Sequence, residues 1–291
     1  MKEIKEIIND FFEPPIREYL SKIPAGKLLR SRLICAIAKD SADRYLLSAI
    51  IETIHLASLL HDDVIDDAKT RRGVPSIVAS EGAKTAIMIG DIFYSTAFSK
   101  LVVLGEEIAK IVSLAVAKLS RGEMLDVELS KSFNESKEKY ENMIYLKTSA
   151  LIEASCEAAA ILVRKDRERF RKFGALLGVA FQIVDDVLDI TQEEAILGKP
   201  ALSDLSEGKA TLPLIYFYQK ADKSDREKLS ALFGKPTEKT SADWLKEALK
   251  NSGAIDSSLD YAKGLLNEAK ALVFDDSELL AIAEALVSRI K

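Results

Sequence analysis

The chain has 291 residues, 48% hydrophobic and 30% charged, so it can bury a large core, and a chain disordered throughout is excluded. Its 41 basic and 46 acidic residues give a formal net charge of −5, so we expect no nucleic-acid partner. The two cysteines, Cys35 and Cys156, lie far apart and outside any CxxC pattern, which argues against a disulfide framework and a cysteine metal site.

Most segments show the three- and four-residue apolar spacing of amphipathic helices. In residues 41–67 this spacing joins Leu47, Ile50 and Ile54. Equivalent patterns predict helices over residues 81–104, 105–131, 137–164, 166–190, 209–221, 241–251, 256–272 and 277–290. No alternating run of β-branched residues predicts a strand.

Prolines and glycines mark the predicted helix ends, at Pro14-Pro15, Pro24, Arg72-Gly73-Val74-Pro75 and Gly105. The longest polar, irregular segment is residues 191–208, a length typical of functional or mobile loops. Because no linker rich in Pro, Gly or Ser interrupts the chain, the sequence predicts one all-α domain over residues 1–291, a single large helical bundle.

The sequence shows no targeting or membrane-spanning segment. Residues 1–12 lack the apolar run of a signal peptide. No stretch reaches the roughly 18 uninterrupted apolar residues of a membrane span. We therefore expect a soluble cytoplasmic protein with no stable membrane insertion.

Four aspartates end an apolar helix in the sequence His61-Asp62-Asp63-Val64-Ile65-Asp66-Asp67. Asp62 and Asp66 are four residues apart, as are Asp63 and Asp67, so each pair shares a helix face. Like charges at this spacing destabilise a helix, and unpaired carboxylates beside an apolar stripe are costly to bury. A hard divalent cation would neutralise them, although one such cluster alone is also typical of a solvated helix end.

A second cluster, Asp185-Asp186-Val187-Leu188-Asp189, repeats this pattern after the apolar run Leu176–Val184. Two DDxxD sequences, each ending an apolar helix, are difficult to explain as surface decoration. If the two helices face each other, their carboxylates meet at one mouth. Such a mouth suits several Mg²⁺ ions and a polyanion, because Mg²⁺ commonly combines one or two carboxylates with substrate phosphates. An EF-hand is excluded, since its Gly and terminal Glu are missing.

Basic residues lie near both clusters. Arg and Lys bind phosphates through charge-assisted hydrogen bonds, although each one alone is more often a solvated surface residue. The candidates are Lys27 and Arg30 on an early helix, Arg71 and Arg72 after the first cluster, Lys147 beside Thr148, and Lys199 and Lys209 after the second cluster. A Walker P-loop is excluded because GxxxxGK[ST] is absent.

Together these sequences resemble the trans-isoprenyl diphosphate synthases, the polyprenyl synthetase family. The resemblance spans about residues 25–215 and rests on GKLLR at 26–30, HLASLLHDDVIDDAKTRRG at 55–73, GD at 90–91, KTSAL at 147–151, FQIVDDVLD at 181–189 and DLSEGKATLP at 204–213. It implies an antiparallel all-α bundle around a deep central cavity, and a homodimer. It also implies that an allylic prenyl diphosphate is joined to isopentenyl diphosphate, with release of pyrophosphate.

The resemblance also implies a role for each candidate residue. Mg²⁺, expected as three ions on the allylic diphosphate, would be ligated by Asp62, Asp66 and Asp185, with assistance through waters from Asp63, Asp186 and Asp189. The same diphosphate would be held by Arg71, Lys147, Lys199 and Lys209. Isopentenyl diphosphate would be bound by Lys27, Arg30, His55 and Arg72. The reacting carbon would be lined by Thr148 and Gln182, with Lys147 beside them.

Some of these residues also have structural interpretations. From the residues alone, His55 is also interpreted as a satisfied core imidazole and Gln182 as a buried capping amide, whereas His61 keeps a structural interpretation. Three parts of the sequence depart from the family pattern. AGKLLRS at 25–31 lacks a basic residue and the proline of GGKRLRP, Leu202 replaces a consensus Gly, and Asp126 replaces the usual Gln.

Small residues below the first cluster predict a long product. Ser58 and Ala57 lie one turn deeper than Asp62, at positions where short-chain family members tend to carry an aromatic floor. A growing chain passes that level here, so we expect an all-trans product of roughly C30–C40, suited to a quinone side chain. Ile54 and Phe93 are candidates for a deeper floor. Helix packing that merely prefers small residues is the alternative explanation.

Other functions stay open. A short-chain farnesyl or geranylgeranyl diphosphate synthase would share every feature except chain length. A class I terpene cyclase shares the all-α cavity and one DDxxD, but usually has an NSE- or DTE-like second metal sequence. A non-catalytic partner subunit generally loses one aspartate cluster, and a cation buffer would bind metal without turnover.

Overall fold

The computed structural model describes residues 1–24, 26–192 and 201–288, and helices dominate these ranges. The helices are α1 (Lys2–Asp10), α2 (Pro14–Lys22), α3 (Leu29–Ile37), α4 (Asp43–Ile65), α5 (Ile77–Glu81), α6 (Ala83–Leu101), α7 (Glu106–Leu129), α8 (Lys137–Ile144), α9 (Ala150–Leu162), α10 (Arg167–Thr191), α11 (Ser203–Ser206), α12 (Leu212–Lys220), α13 (Lys223–Leu232), α14 (Lys239–Asn251), α15 (Ala254–Leu272) and α16 (Ser277–Ser288). The predicted all-α helical bundle is confirmed.

The chain separates into two compact units. Unit 1 comprises Met1–Ala117 and Leu151–Gly174, and unit 2 comprises Lys118–Ala150 and Ala175–Lys291. The three boundaries fall inside α7, α9 and α10 rather than in loops. The single domain over residues 1–291 stays a prediction.

In unit 1, α4 is the central helix and packs against α1, α3 and α6. Its apolar spacing buries Ile50 and Ile54 completely. His61, near the end of α4, lies 3.3 Å from the carbonyl of Ile87, near the start of α6. Because the end of α4 lies beside the start of α6 and the two helices pack against each other, α4 and α6 run antiparallel.

Residues 70–75 form a small β-hairpin, whereas the sequence predicts only the end of a helix there. Thr70–Arg71 (β1) pairs antiparallel with Val74–Pro75 (β2). The two turn residues, Arg72 and Gly73, have φ of 52° and 79°, the left-handed pair that a type I′ hairpin requires. Two residues per strand are too few to show an alternating pattern, so the strands had no sequence signal.

The prediction that Lys27 lies on an early helix is wrong. Helix α3 begins at Leu29, and Leu28 before it has a left-handed φ of 51°. Lys27 therefore precedes the helix that carries Arg30. The Gly26 backbone lies against Arg72, whose Nη2 would be 2.9 Å from a Cβ at that position, which explains the glycine.

The helix predicted over residues 137–164 is interrupted. Helix α8 ends at Ile144, a π-helical turn covers Tyr145–Ser149, and α9 continues to Leu162. Helix α13 was absent from the predicted set, because its mostly polar sequence hides the apolar spacing. The predicted loop 191–208 contains the short helix α11 in its described part.

One described helical stretch, residues 83–104, is long and apolar enough to cross a membrane by length and composition alone. Only 28% of its most apolar window is buried inside the structure. Its exposed apolar residues include Ile87, Met88 and Ile92. The absence of membrane insertion therefore stays a prediction.

Candidate active site

The first acidic cluster lies at the C-terminal end of α4. Asp62 is partly exposed and Asp66, the cap residue, is exposed, with its N–H bonded to the Asp62 carbonyl at 2.9 Å. The C-terminal end of a helix carries partial negative charge, which attracts cations. Both carboxylates are hard oxygen donors, so this end of α4 fits a divalent cation.

Asp63 has a different environment from its neighbours. It is 2% exposed, and its Oδ1 accepts hydrogen bonds from Arg71 Nε at 2.8 Å and Nη2 at 2.5 Å. The hairpin places Arg71 there. Asp63 and Arg71 thus form a largely buried ion pair, and their predicted roles toward Mg²⁺ and diphosphate remain predictions.

Cationic side chains gather around His55 in unit 1. Burial, together with the positive charges of Arg30, Arg72 and Arg71, holds the pKa of His55 well below its usual range, so its imidazole is neutral. Burial also lowers the pKa of Arg30. Within the described residues, Arg30 Nε is buried without a hydrogen-bond partner. An orphan buried donor among arginines is a suitable site for a phosphate oxygen.

Glu52 is the acidic member of this cationic group, and sequence reasoning missed it. It is buried and accepts hydrogen bonds from Ser31 N at 3.2 Å and Ser31 Oγ at 2.8 Å. Its charge also acts on Arg30 and Arg72. Arg72 itself is held by the Pro24 carbonyl at 2.6 Å. Glu52 lies three residues before His55 on α4, and this spacing was the only available signal.

In the second cluster, Asp185 is partly exposed and Asp186 is buried. Asp186 accepts hydrogen bonds from Tyr140 Oη at 2.6 Å and from Gln182 Nε2 at 2.8 Å. Burial, and then the negative charge of Asp204, raise the pKa of Asp186 well above its usual range, against the opposing effect of the two hydrogen bonds. Tyr140 and Asp204 were not predicted as site residues, because only the fold brings them to Asp186.

Asp189 is also held by protein groups. Ser203 Oγ donates to its Oδ1 at 2.8 Å, and the Asp204 N–H donates to its Oδ2 at 3.2 Å. These two bonds tie α11 to the end of α10. Through these hydrogen bonds, Asp189 holds the segment that leads to Lys209 against the end of α10.

The π-helical turn carries two predicted catalytic residues. Thr148 Oγ1 donates to Gln182 Oε1 at 2.7 Å. Lys147 Nζ lies 2.6 Å from Asp126 Oδ2 and 2.8 Å from Glu123 Oε2, both buried carboxylates. Asp126, the departure from the family pattern, is thus a direct partner of Lys147. Inserted π turns often occur at functional sites.

The remaining basic candidates are only partly placed. Lys209 Nζ pairs with Glu207 at 2.6 Å. Lys199 lies outside the described residues. Within the parts of the chain that the structure describes, no three His, Cys, Asp or Glu side chains lie close enough to hold a metal by themselves.

Comparison with known proteins agrees with these features. The chain matches the polyprenyl synthetase family model over residues 11–251. The octaprenyl pyrophosphate synthase structure from Helicobacter pylori is 41% identical, with a TM-score of 0.94 over 99% of this chain and 98% of that chain. The short chain isoprenyl diphosphate synthase of Methanothermobacter thermautotrophicus is 32% identical over 99% of each chain. A Caulobacter crescentus polyprenyl synthase, complexed with calcium and isoprenyl diphosphate, is 30% identical, with a TM-score of 0.91 over 98% of this chain and 93% of that chain.

The helical fold and the two DDxxD clusters define a prenyltransferase of the isoprenoid-synthase type. More specifically, the chain belongs to the polyprenyl synthetase family and is a trans-prenyl diphosphate synthase. The roles of individual site residues remain predictions.

Proposed function

We propose that the protein extends an allylic prenyl diphosphate by repeated condensation with isopentenyl diphosphate, to an all-trans product of roughly C30–C40. The observation that carries this proposal is the environment of the two DDxxD clusters. In the two clusters, Asp63, Asp186 and Asp189 are buried, whereas Asp62, Asp66 and Asp185 are more exposed. The proposed site of action is the cytoplasm.

We assign the more exposed aspartates, Asp62, Asp66 and Asp185, to Mg²⁺. When bound, Mg²⁺ supplies positive charge that neutralises the diphosphate leaving group. Arg71, Lys147, Lys199 and Lys209 hold the same diphosphate. Because Arg71 and Lys147 each contact buried carboxylates, their positive charges are positioned before substrate arrives.

Isopentenyl diphosphate is assigned to the cationic group around His55. Arg30 supplies the orphan Nε donor, and Arg72 and Lys27 supply further positive charge. A neutral His55 donates one hydrogen bond without adding charge. Thr148 and Gln182 are assigned to the allylic carbon, where exclusion of water protects the developing cation. The released pyrophosphate accepts the last proton, so no side-chain base is needed.

The proposed product length is inferred from the small residues and the length of α4. Ala57 is fully buried and Ser58 nearly so, with Ser58 Oγ donating to the His55 carbonyl at 2.9 Å. Between Asp43 and Ser58 the helix extends for about 22 Å. This length of helix can line a prenyl chain longer than a short-chain product. The relatives differ in their own products, since one is named octaprenyl and another short chain. A long product suits a quinone side chain.

A homodimer is supported by the outer face of α6. Ile87, Met88 and Ile92 form an exposed apolar stripe on this helix, and Leu114 of α7 is also exposed in unit 1. A contiguous apolar face on a folded protein marks an interaction surface. A two-fold axis through α6 would cover the same stripe on both copies.

Incorporation of labelled isopentenyl diphosphate tests the reaction. With farnesyl diphosphate and Mg²⁺ present, we expect label in an extractable lipid product, and EDTA should abolish the incorporation. A terpene cyclase would instead consume the allylic diphosphate without isopentenyl diphosphate, and a cation buffer would consume neither. Either of those results would reject the proposed function.

A further inference from the structure

Four side chains of unit 2 form one continuous chain of hydrogen bonds. Tyr140 Oη and Gln182 Nε2 donate to the two oxygens of Asp186, at 2.6 and 2.8 Å. Thr148 Oγ1 then donates to Gln182 Oε1 at 2.7 Å. Tyr140 is 1% exposed and Asp186 is 4% exposed, so water does not compete at this end of the chain.

With Asp186 ionised, the donor and acceptor types give each bond one direction. A carboxylate accepts hydrogen bonds, and its Oδ2 is already occupied by Tyr140, so Oδ1 takes the amide NH₂ of Gln182. If the amide rotated by 180°, its oxygen would face the carboxylate oxygen, which is repulsive. Gln182 must therefore turn its carbonyl oxygen to Thr148. The Thr148 hydroxyl in turn donates its proton to Gln182 and leaves its lone pairs for another partner.

We propose that Tyr140 is a positioning residue for the condensation: it anchors Asp186, which orients Gln182 and so aims the Thr148 oxygen lone pairs at the allylic carbon. This inference rests on the proposed function, in which Thr148 and Gln182 contact that carbon. Oxygen atoms that are already oriented stabilise developing positive charge without reorganising during the reaction. In this role Tyr140 acts through Asp186 and Gln182.

Steady-state kinetics of Tyr140→Phe test this role, because the variant keeps the ring and removes only the hydroxyl. We expect kcat to fall about 10- to 100-fold while KM for both diphosphates stays within about twofold, since orientation is lost and substrate binding is not. Tyr261→Phe is the matched control. The Tyr261 hydroxyl bonds to Glu141, which is not one of the four hydrogen-bonded side chains. The kcat of Tyr261→Phe should therefore equal that of the wild type.

A double-mutant cycle separates positioning from a structural role. If Tyr140 acts only through Gln182, Tyr140→Phe should lower kcat in the wild type but leave the kcat of Gln182→Ala unchanged. Equal losses in both backgrounds, or a Tyr140→Phe kcat within twofold of the wild type, would overturn the inference. Wild-type enzyme that incorporates no isopentenyl diphosphate would instead overturn the proposed function.

A second substitution covers the case in which Tyr140→Phe does not fold. Placing p-aminophenylalanine at position 140 keeps a donor of similar size but weaker acidity. We expect a kcat severalfold below the wild-type value, with an unchanged melting temperature. A folded variant whose kcat falls by more than about 100-fold, although the donor is kept, would contradict the inference.

Discussion

At the residue scale, neighbouring aspartates of one cluster have different environments. Asp62 is partly exposed at the end of α4, whereas Asp63 is paired with Arg71. The spacing of the two DDxxD sequences does not distinguish the environment of one carboxylate from that of another. Only the fold shows which oxygen atoms are already bound by protein donors, so ligand and supporting roles could not be separated from spacing.

We predict that Asp62→Asn and Asp185→Asn each lower kcat/KM by about 100- to 1,000-fold with little loss of helicity, because each removes a charge that we assign to binding the metal. Asp67→Asn is the matched control, since Asp67 is exposed and pairs with Lys69. Its rate should stay within about twofold of the wild type. Near-normal rates in both Asp62→Asn and Asp185→Asn would reject the metal assignment.

Asp63→Asn should act on stability as well. Replacing the buried partner of Arg71 leaves a largely buried guanidinium without its counter-charge, at a cost of about 3 kcal/mol in the free energy of unfolding. Urea unfolding followed by circular dichroism measures this change. Equal stabilities of Asp62→Asn and Asp63→Asn would show that the Asp63–Arg71 pair is not structural.

At the element scale, apolar spacing predicted most of the helices, because burying one face per helix is what the sequence encodes. The π-helical turn at Tyr145–Ser149 and the start of α3 after Lys27 depend on tertiary contacts, which spacing does not report. Gly122 and Gly178 pack closely against the π-helical turn and so limit where its backbone can lie. A Cβ at either glycine would clash with backbone at Lys147 or Ser149.

Helix α4 yields a prediction about product length. Ser58→Phe places a ring one turn below Asp62, and we expect the main product to shorten to C15–C20. Product analysis by mass spectrometry measures the shift, with Ser58→Ala as the size-matched control. Overpacking costs about 1–3 kcal/mol, so folding is checked first by thermal melting. If a folded Ser58→Phe enzyme makes an unchanged product, Ser58 does not control the product length.

At the scale of the whole molecule, the apolar stripe on α6 predicts a homodimer. Met88 is 55% exposed, so Met88→Glu should not disturb the folded subunit. It should weaken dimerisation about 100-fold, because it buries an unpaired charge in the interface. Light scattering after gel filtration gives the mass. Phe274→Glu, at a 76% exposed site in unit 2, is the control and should remain dimeric.

Product analysis tests the central claim most directly. The purified wild-type chain is incubated with farnesyl diphosphate, isopentenyl diphosphate and Mg²⁺, and the dephosphorylated lipids are resolved by mass. We predict linear all-trans chains of roughly C30–C40, on the proposal that the small residues Ala57 and Ser58 let the growing chain pass along α4. No elongation of the farnesyl primer, accumulation of C20 alone, or formation of a cyclic hydrocarbon would contradict the account.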